Sequence, residues 1–242
     1  TFFPWQAIFI TLAVIGVICW LCVHFFFKES LPVERRLNLS LYQVTTLYAA
    51  ILKDESFRRP MFAGCLTGAA LFCYISSASA VFMGQYGLSQ QQFSYAFAMN
   101  AGGIMLMSSL NKHLNTLMDI FPRLRLGGTI QCFGALIVVS VGLMNHAPLW
   151  LLMSGLFLAV SGIGLTGPNA MALAMSKQGA RAGTASASMG SMQFACGLMG
   201  GVILNFLIWK ASLNMGLMML MFTSAGLFAI FKVGKQQDSI FS

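Results

Sequence analysis

Long charge-free apolar runs alternate with short basic links along this chain. Seven runs are long enough to cross the ~30 Å hydrocarbon core of a bilayer as helices. They cover residues 6–27, 61–82, 90–110, 127–144, 149–175, 182–208 and 213–231. Breakers punctuate them: a turn is expected at residues 84–87, and Asn145-His146-Ala147-Pro148 divides the fourth run from the fifth. Ser89 followed by Gln92 predicts a capping box at the start of the third. Trp5 and Trp209 stand at run ends, where aromatic rings anchor to the interface. The longest polar stretch is 28–59. Within it Leu41, Val44, Leu47, Tyr48, Ile51 and Leu52 recur at helical spacing, which predicts an amphipathic surface helix. The expected fold is all-α and polytopic. It comprises one span (1–27), a linker (28–59), a six-helix bundle (60–233) and a tail (234–242).

Residues 160–201 indicate what kind of helices these are. Two charge-free flanks surround a basic link from Lys177 to Arg181, and glycines crowd both. In water each interior glycine would cost a helix about 1 kcal/mol relative to alanine. In a bilayer, small residues let helix backbones approach where no hydrophobic effect drives association. Gly167, Gly183, Gly190, Gly197 and Gly201 are therefore candidate packing and conformational positions. Pro168 removes a backbone donor, and a kink or local unwinding is expected at residues 166–169.

Composition narrows the class. The 242 residues are 57% hydrophobic and 8% charged, against about 25% charged in a soluble domain. This set could not cover a water-soluble surface. The net charge of +8 forms no face that would suit nucleic acid; the cations lie in the links. Thirteen of the fourteen Lys and Arg residues fall in alternate links, and Lys210 alone is opposite. By the positive-inside rule the long link and the C-terminus are cytoplasmic and Thr1 is outside. An odd span count, and an opening (TFFPWQ) that is not a signal peptide, predict that further spans precede this sequence. Cys19-Trp-Leu-Cys22 matches C-x-x-C but lies inside an apolar run with no second pair, so packing is the expected role of the cysteines. His24, His113 and His146 cannot share a helix face, and no phosphate-binding G-x-x-x-x-G-K-[ST] occurs. No metal and no cofactor are expected.

Several stretches resemble the major facilitator superfamily, in particular its Bcr/CflA drug-resistance branch of twelve-span drug:proton antiporters. Trp5-Gln6-Ala7-Ile8-Phe9 resembles the entry to that branch's sixth span. Lys28-Glu29-Ser30-Leu31-Pro32-Val33-Glu34-Arg35-Arg36 resembles its K-E-T-L-P-x-E-R-R link. Phe72–Ser77, Tyr86-Gly87-Leu88-Ser89 and Phe93–Asn100 resemble its seventh and eighth spans. Pro168-Asn169-Ala170-Met171-Ala172 and Arg181-Ala182-Gly183-Thr184-Ala185-Ser186 resemble its tenth span and the start of its eleventh. The link 111–126 departs from the family's glycine-rich turn, so no gating role is assigned to it. The resemblance implies spans six to twelve of twelve, in a bacterial inner membrane. It implies proton-coupled efflux of drugs or small toxic molecules by alternating access. The implied partners are a drug-like small molecule, protons and the lipid bilayer.

Proton coupling needs a titratable group buried in the membrane. The sequence places none between its helix ends, and the resemblance implies that the coupling residues lie in the N-terminal half. What this chain offers is half of a cavity. Its candidate lining residues are Tyr74, Ser77, Asn100, Asn169 and Gln193, each a polar or aromatic group inside a span. Ordinary interhelical hydrogen bonding is the competing role for every one of them. The fourth and seventh spans carry few polar groups and are expected to be lipid-facing supports. The rival functions are an uptake permease for a small metabolite, an inactive fragment, and a membrane enzyme. The last would need His, Asp or Glu clustered at one interface, which the sequence lacks.

Overall fold

The structure, a computed structural model, describes residues 6–27 and 40–238. Among these there are nine α-helices and no strand. Trp5, the 28–39 part of the linker and residues 239–242 lie outside the described residues. The chain divides into two compact units, 1–44 and 45–242, with the boundary inside the amphipathic helix rather than at its edge.

The first unit contains α1 (Gln6–Phe26), which buries none of its 21 residues. A helix apolar all round needs either protein or lipid on every side. Trp20 and His24, one turn apart, stack with ring centroids 5.5 Å apart. The expected amphipathic helix is α2 (Leu41–Lys53). It opens on a reciprocal cap: the Gln43 N–H donates to Ser40 Oγ and the Ser40 N–H donates to Gln43 Oε1. Ile51 is fully buried in the core of the second unit.

The second unit is built around α3 (Glu55–Ser79), thirteen of whose residues are buried. This helix starts earlier than residue 61. Asp54 caps it, accepting from the Ser56 N–H at 2.9 Å, and Glu55 pairs with Arg58 and Arg59. Pro60 therefore lies inside the helix; the carbonyl it leaves free is Ser56's, in a first turn still open to water. At its far end α3 loosens into a π-helical turn, Ala80–Gln85, and reverses at Gly87, whose φ of +67° suits glycine. The predicted capping box of Ser89 and Gln92 then starts α4 (Gln90–Leu114). α5 (Ile120–Leu143) follows, then α6 (Leu149–Ser161) and α7 (Ile163–Met175), which meet at Gly162. A 3-10 turn (Gly179–Arg181) leads to α8 (Ala182–Leu204), and α9 (Ala211–Asp238) closes the described chain.

Six helical segments among the described residues are long and apolar enough to span a membrane, one fewer than expected. The missing one is α4. Its 25 residues would reach roughly 37 Å at 1.5 Å per residue, but glutamines, serines and asparagines dilute its apolar character. α3 packs on α7, α8 and α9, while α5 packs on α6, α7 and α9. Backbones touch where glycine permits. A Cβ on Gly134 would lie 2.3 Å from the Ala159 backbone nitrogen, and one on Gly216 would lie 2.8 Å from that of Val139. Such contacts supply dispersion energy that lipid cannot. α5 and α9, expected to be lipid-facing supports, pack together with one face, where Gln131, Val138, Met215 and Met219 are buried, and leave Phe133 and Phe228 exposed on the other.

Candidate substrate cavity

Polar atoms inside a membrane protein need partners, because lipid supplies none. Following those partners separates structural polar groups from free ones. Tyr74 and Asn100 are each 1% exposed. The Asn100 Nδ2 donates to the Tyr74 hydroxyl at 3.0 Å, and Phe97 stacks on the Tyr74 ring. The sequence groups them as cavity candidates, but the structure buries the pair between α3 and α4 instead of exposing it to a cavity. Ser77 is likewise absorbed: its hydroxyl donates to the Cys73 carbonyl one turn back.

Asn169 also turns inward. Its Nδ2 donates to the Leu165 carbonyl at 2.7 Å and to Asn111 Oδ1 at 2.9 Å. Asn111 Oδ1 accepts a second bond from Arg123 Nη1, and Arg123 Nη2 donates to Asn115 Oδ1. Arg123 sits in the first turn of α5, 6% exposed, not in an open basic link. The span expected from residue 127 thus begins earlier, as α5 at Ile120, and its first turn draws in the arginine that the sequence reading put in the basic link. The link itself shrinks to residues 115–119.

Asn100 Oδ1 is buried without a partner, but among the five candidates the side chain with no hydrogen bond at all is that of Gln193, on α8. It is half-buried, and none of its amide atoms has a hydrogen bond among the described residues. It projects across the groove to α3, where its Nε2 lies 3.1 Å from where a Cβ on Gly68 would stand. Gly68 thus leaves the room that the amide occupies. Around it α3, α7 and α8 enclose a cavity of about 320 Å³, at the low end of small-molecule pockets. Thr166, Gly167, Met171, Ser186 and Gly190 complete much of its wall. Ser186 is exposed, with its hydroxyl unpartnered among the described residues.

One wall is held by a group that sequence reading missed. Gln131, fully buried on α5, accepts from the Thr166 hydroxyl at 3.1 Å and donates to the Thr67 carbonyl at 3.3 Å. It thereby ties α7 to α3 and fixes Thr166 at the cavity edge. Its signal was present: a lone amide in a charge-free span is costly unless paired.

The expected glycine roles divide. A Cβ on Gly197 would meet the Phe72 ring at 2.5 Å, and one on Gly201 the Ser76 hydroxyl at 3.4 Å, so both face α3 across the packed groove. Gly183 and Gly190 meet nothing within 4 Å, and Gly167 only Ile163 at 3.9 Å. These three do not serve close packing within this bundle; Gly167 and Gly190 instead keep the cavity open. Pro168 is accommodated within α7, and the interruption falls at Gly162, not at 166–169. The carbonyl that a proline at 168 crowds is that of Gly164, inside α7, so the break at Gly162 is not its direct effect.

The sequence profile of the Major Facilitator Superfamily matches residues 1–201. The chain belongs to the Major Facilitator Superfamily. It is 29% identical over 203 residues to a protein of Haemophilus influenzae named as a bicyclomycin resistance protein homolog, covering 84% of this chain and 51% of that one. It is 32% identical over 197 residues to YdgK of Bacillus subtilis, named as an uncharacterized MFS-type transporter, covering 81% and 48%. The chain thus spans about half the length of the curated relatives it matches. As a member of this superfamily it is a multi-pass membrane protein, in keeping with its all-α structure. Among its described residues no group of three metal-ligating side chains comes together.

Proposed function

We propose that this chain is the C-terminal portion of a proton-coupled exporter of drugs or other small toxic molecules. Its place is the bacterial inner membrane, with the C-terminus cytoplasmic. The complete transporter would rock one helical bundle against another around a midplane site. One observation carries the substrate side of this reading: the Gln193 amide, inside a span, faces a cavity with no protein partner. An unpaired amide in such a place costs free energy unless a ligand or water meets it. Its two donors and one acceptor suit uncharged polar substrates. Met171 and Met189 beside it can repack around different shapes. The relative named for bicyclomycin resistance supports export over uptake. The proton-coupling residues are assigned to the N-terminal half.

The test is resistance. The complete transporter containing this chain, expressed in an efflux-deficient bacterium, is expected to raise the inhibitory concentration of bicyclomycin. Gln193→Ala removes about 1 kcal/mol of hydrogen bonding, so resistance should fall about fivefold at an unchanged membrane level of the protein. Full resistance in the variant would remove Gln193 from the site. Absence of any resistance, together with substrate accumulation, would overturn export itself.

A further inference from the structure

Two cations share one end of the seam between α5 and α9, helices that contribute nothing to the walls of the Gln193 cavity. Arg125 of α5 lays its guanidinium over the Phe231 ring of α9, 5.4 Å from the ring centroid. Lys232 of α9 folds back over Phe228, its Nζ 4.6 Å from that centroid. Phe228 and Phe231 are three residues apart and so share a side of α9. Just inside the cations the helices close together: a Cβ on Gly128 would lie 3.0 Å from the tips of Leu227 and Ile230. Neither cation is met by the bundle. Among the described residues neither makes a salt bridge or donates a side-chain hydrogen bond, and the Arg125 Nε is enclosed without an acceptor. α5 contains no acidic residue, and α9 none before Asp238. Asp119, just before α5, gives its carbonyl to Arg123 instead. Below the cations the outer faces of both helices are apolar and exposed, through Leu126 and Phe133 on α5 and Phe228 on α9. Both helices are long and apolar enough to cross a membrane, so hydrocarbon covers those faces.

We propose that Arg125 and Lys232 form a headgroup site for an anionic glycerophospholipid, whose phosphate binds at the two cations while its acyl chains lie along the exposed apolar faces of α5 and α9. Each cation has one side turned to a phenyl ring, which replaces water there and directs its remaining donors outward. A guanidinium meets a phosphate through two parallel N–H bonds, and the ammonium adds a second charge on the same side of the seam. The headgroup carries what the helices lack, an anion at the level of the cations, and its chains continue into the layer that covers Phe133 and Phe228. A zwitterionic lipid offers the same phosphate but brings its own cation towards two others, with no carboxylate on α5 to receive it. The preference is therefore for net negative charge. Basic positions where membrane-spanning helices meet the interface attract such lipids generally; here the ring contacts hold the two charges in place. The site is independent of whether the Gln193 cavity takes substrate.

Brominated lipid decides it. In the complete transporter, with its native tryptophans changed to phenylalanine, Phe133→Trp puts a reporter on the exposed face of α5. It stands about 12 Å along the helix from Arg125, near the middle of an acyl chain whose phosphate is held there. The protein is placed in phosphatidylcholine nanodiscs containing a small fraction of either phosphatidylglycerol or phosphatidylcholine with dibrominated chains. Fluorescence quenching across a dilution series gives the relative affinity of the two lipids at the reporter. Phosphatidylglycerol is expected to be preferred by about fivefold for each cation. Arg125→Gln together with Lys232→Gln should abolish the preference, while Arg125→Lys, which keeps the charge, should retain most of it. Lys112→Gln together with Lys177→Gln removes the same charge from exposed positions elsewhere and should leave the preference unchanged. Equal quenching by the two lipids in the parent would overturn the proposal, as would a preference that survives Arg125→Gln with Lys232→Gln. An equal loss in the Lys112 and Lys177 control would overturn it too, by showing diffuse attraction to every basic link. Relief of the quenching by inorganic phosphate, but not by chloride at the same ionic strength, would give the cations to a free anion instead of a lipid. Because binding is read without transport, none of these outcomes bears on the bicyclomycin test.

Discussion

At the scale of single residues, the most consequential contacts are amides that serve two partners. Asn111 Oδ1 accepts from both Arg123 and Asn169, so it joins the starts of two buried side-chain networks. Arg123 has no carboxylate among the acceptors the structure gives it; Asn111, Asn115 and the Asp119 carbonyl share its protons. Asn111→Ala leaves two buried donors unmet and should destabilise the folded protein by roughly 1–3 kcal/mol. Thermal unfolding in detergent would read this, and Asn111→Asp should recover or exceed the parent by adding charge to the same geometry. Equal melting of parent and alanine variant would mean that water replaces the amide. Asp54 offers a pH-dependent counterpart outside the spans. The Ser56 hydroxyl, then Gln178, hold its carboxyl below the ordinary 3.8. A carboxyl depressed in the folded state stabilises above its unfolded pKa, and the gain disappears as pH falls through the folded value. Asp54→Asn should therefore lower stability at pH 7 and match the parent once the pH is below the folded value. A constant difference at both pH values would remove the ionised carboxylate as the cause.

At the scale of helices, glycine has two separate uses that composition cannot distinguish. Gly197→Leu would drive its side chain into Phe72 and should lower the melting temperature by several degrees, a cost typical of overpacking, about 1–3 kcal/mol. Gly183→Leu enters open space and should leave melting unchanged or slightly raised, since leucine favours helix. If Gly183→Leu nevertheless abolishes export, that glycine acts against a surface outside this bundle; if it melts the bundle, the open space is filled in the working protein. The element pattern itself was legible in the sequence: run length and breakers located the helices, and Ser89 with Gln92 fixed the α4 cap. The early start of α3 was not, because Pro60 looked like a boundary and Asp54 only becomes a cap once Ser56 is helical. Nor was the division of labour among Tyr74, Asn100, Asn169 and Gln193. All four are polar groups in apolar runs, and which one is left with no hydrogen bond at all depends on partners 26 to 58 residues distant, as for Asn100 with Tyr74 and Asn169 with Asn111. Spacing along one helix carries no information about that.

At the scale of the whole second unit, hydrogen bonds between links report which links share an end. Asp54 before α3 accepts from Gln178 after α7 at 2.8 Å. At the other end, Gln85 after α3 accepts from the Ser212 N–H at the start of α9, and Lys210 donates to Asn145 between α5 and α6. Two of the basic links thus share one end and the nearly uncharged ones share the other, which is the arrangement that the distribution of Lys and Arg calls for. Those two lines of evidence, one from charge and one from contacts, have independent physical causes. Together they predict a labelling pattern for the complete transporter in intact cells, with its native cysteines replaced. Asn145→Cys should react with a membrane-impermeant maleimide from outside. Thr116→Cys and Gly179→Cys, both exposed in the links at the basic end, should react only after the membrane is opened. Labelling of Thr116→Cys and Asn145→Cys from the same side would contradict the geometry, since α5 must carry the chain from one face to the other. Labelling on opposite sides but in reverse would preserve the fold and overturn only its orientation, and with it the cytoplasmic placement of the C-terminus.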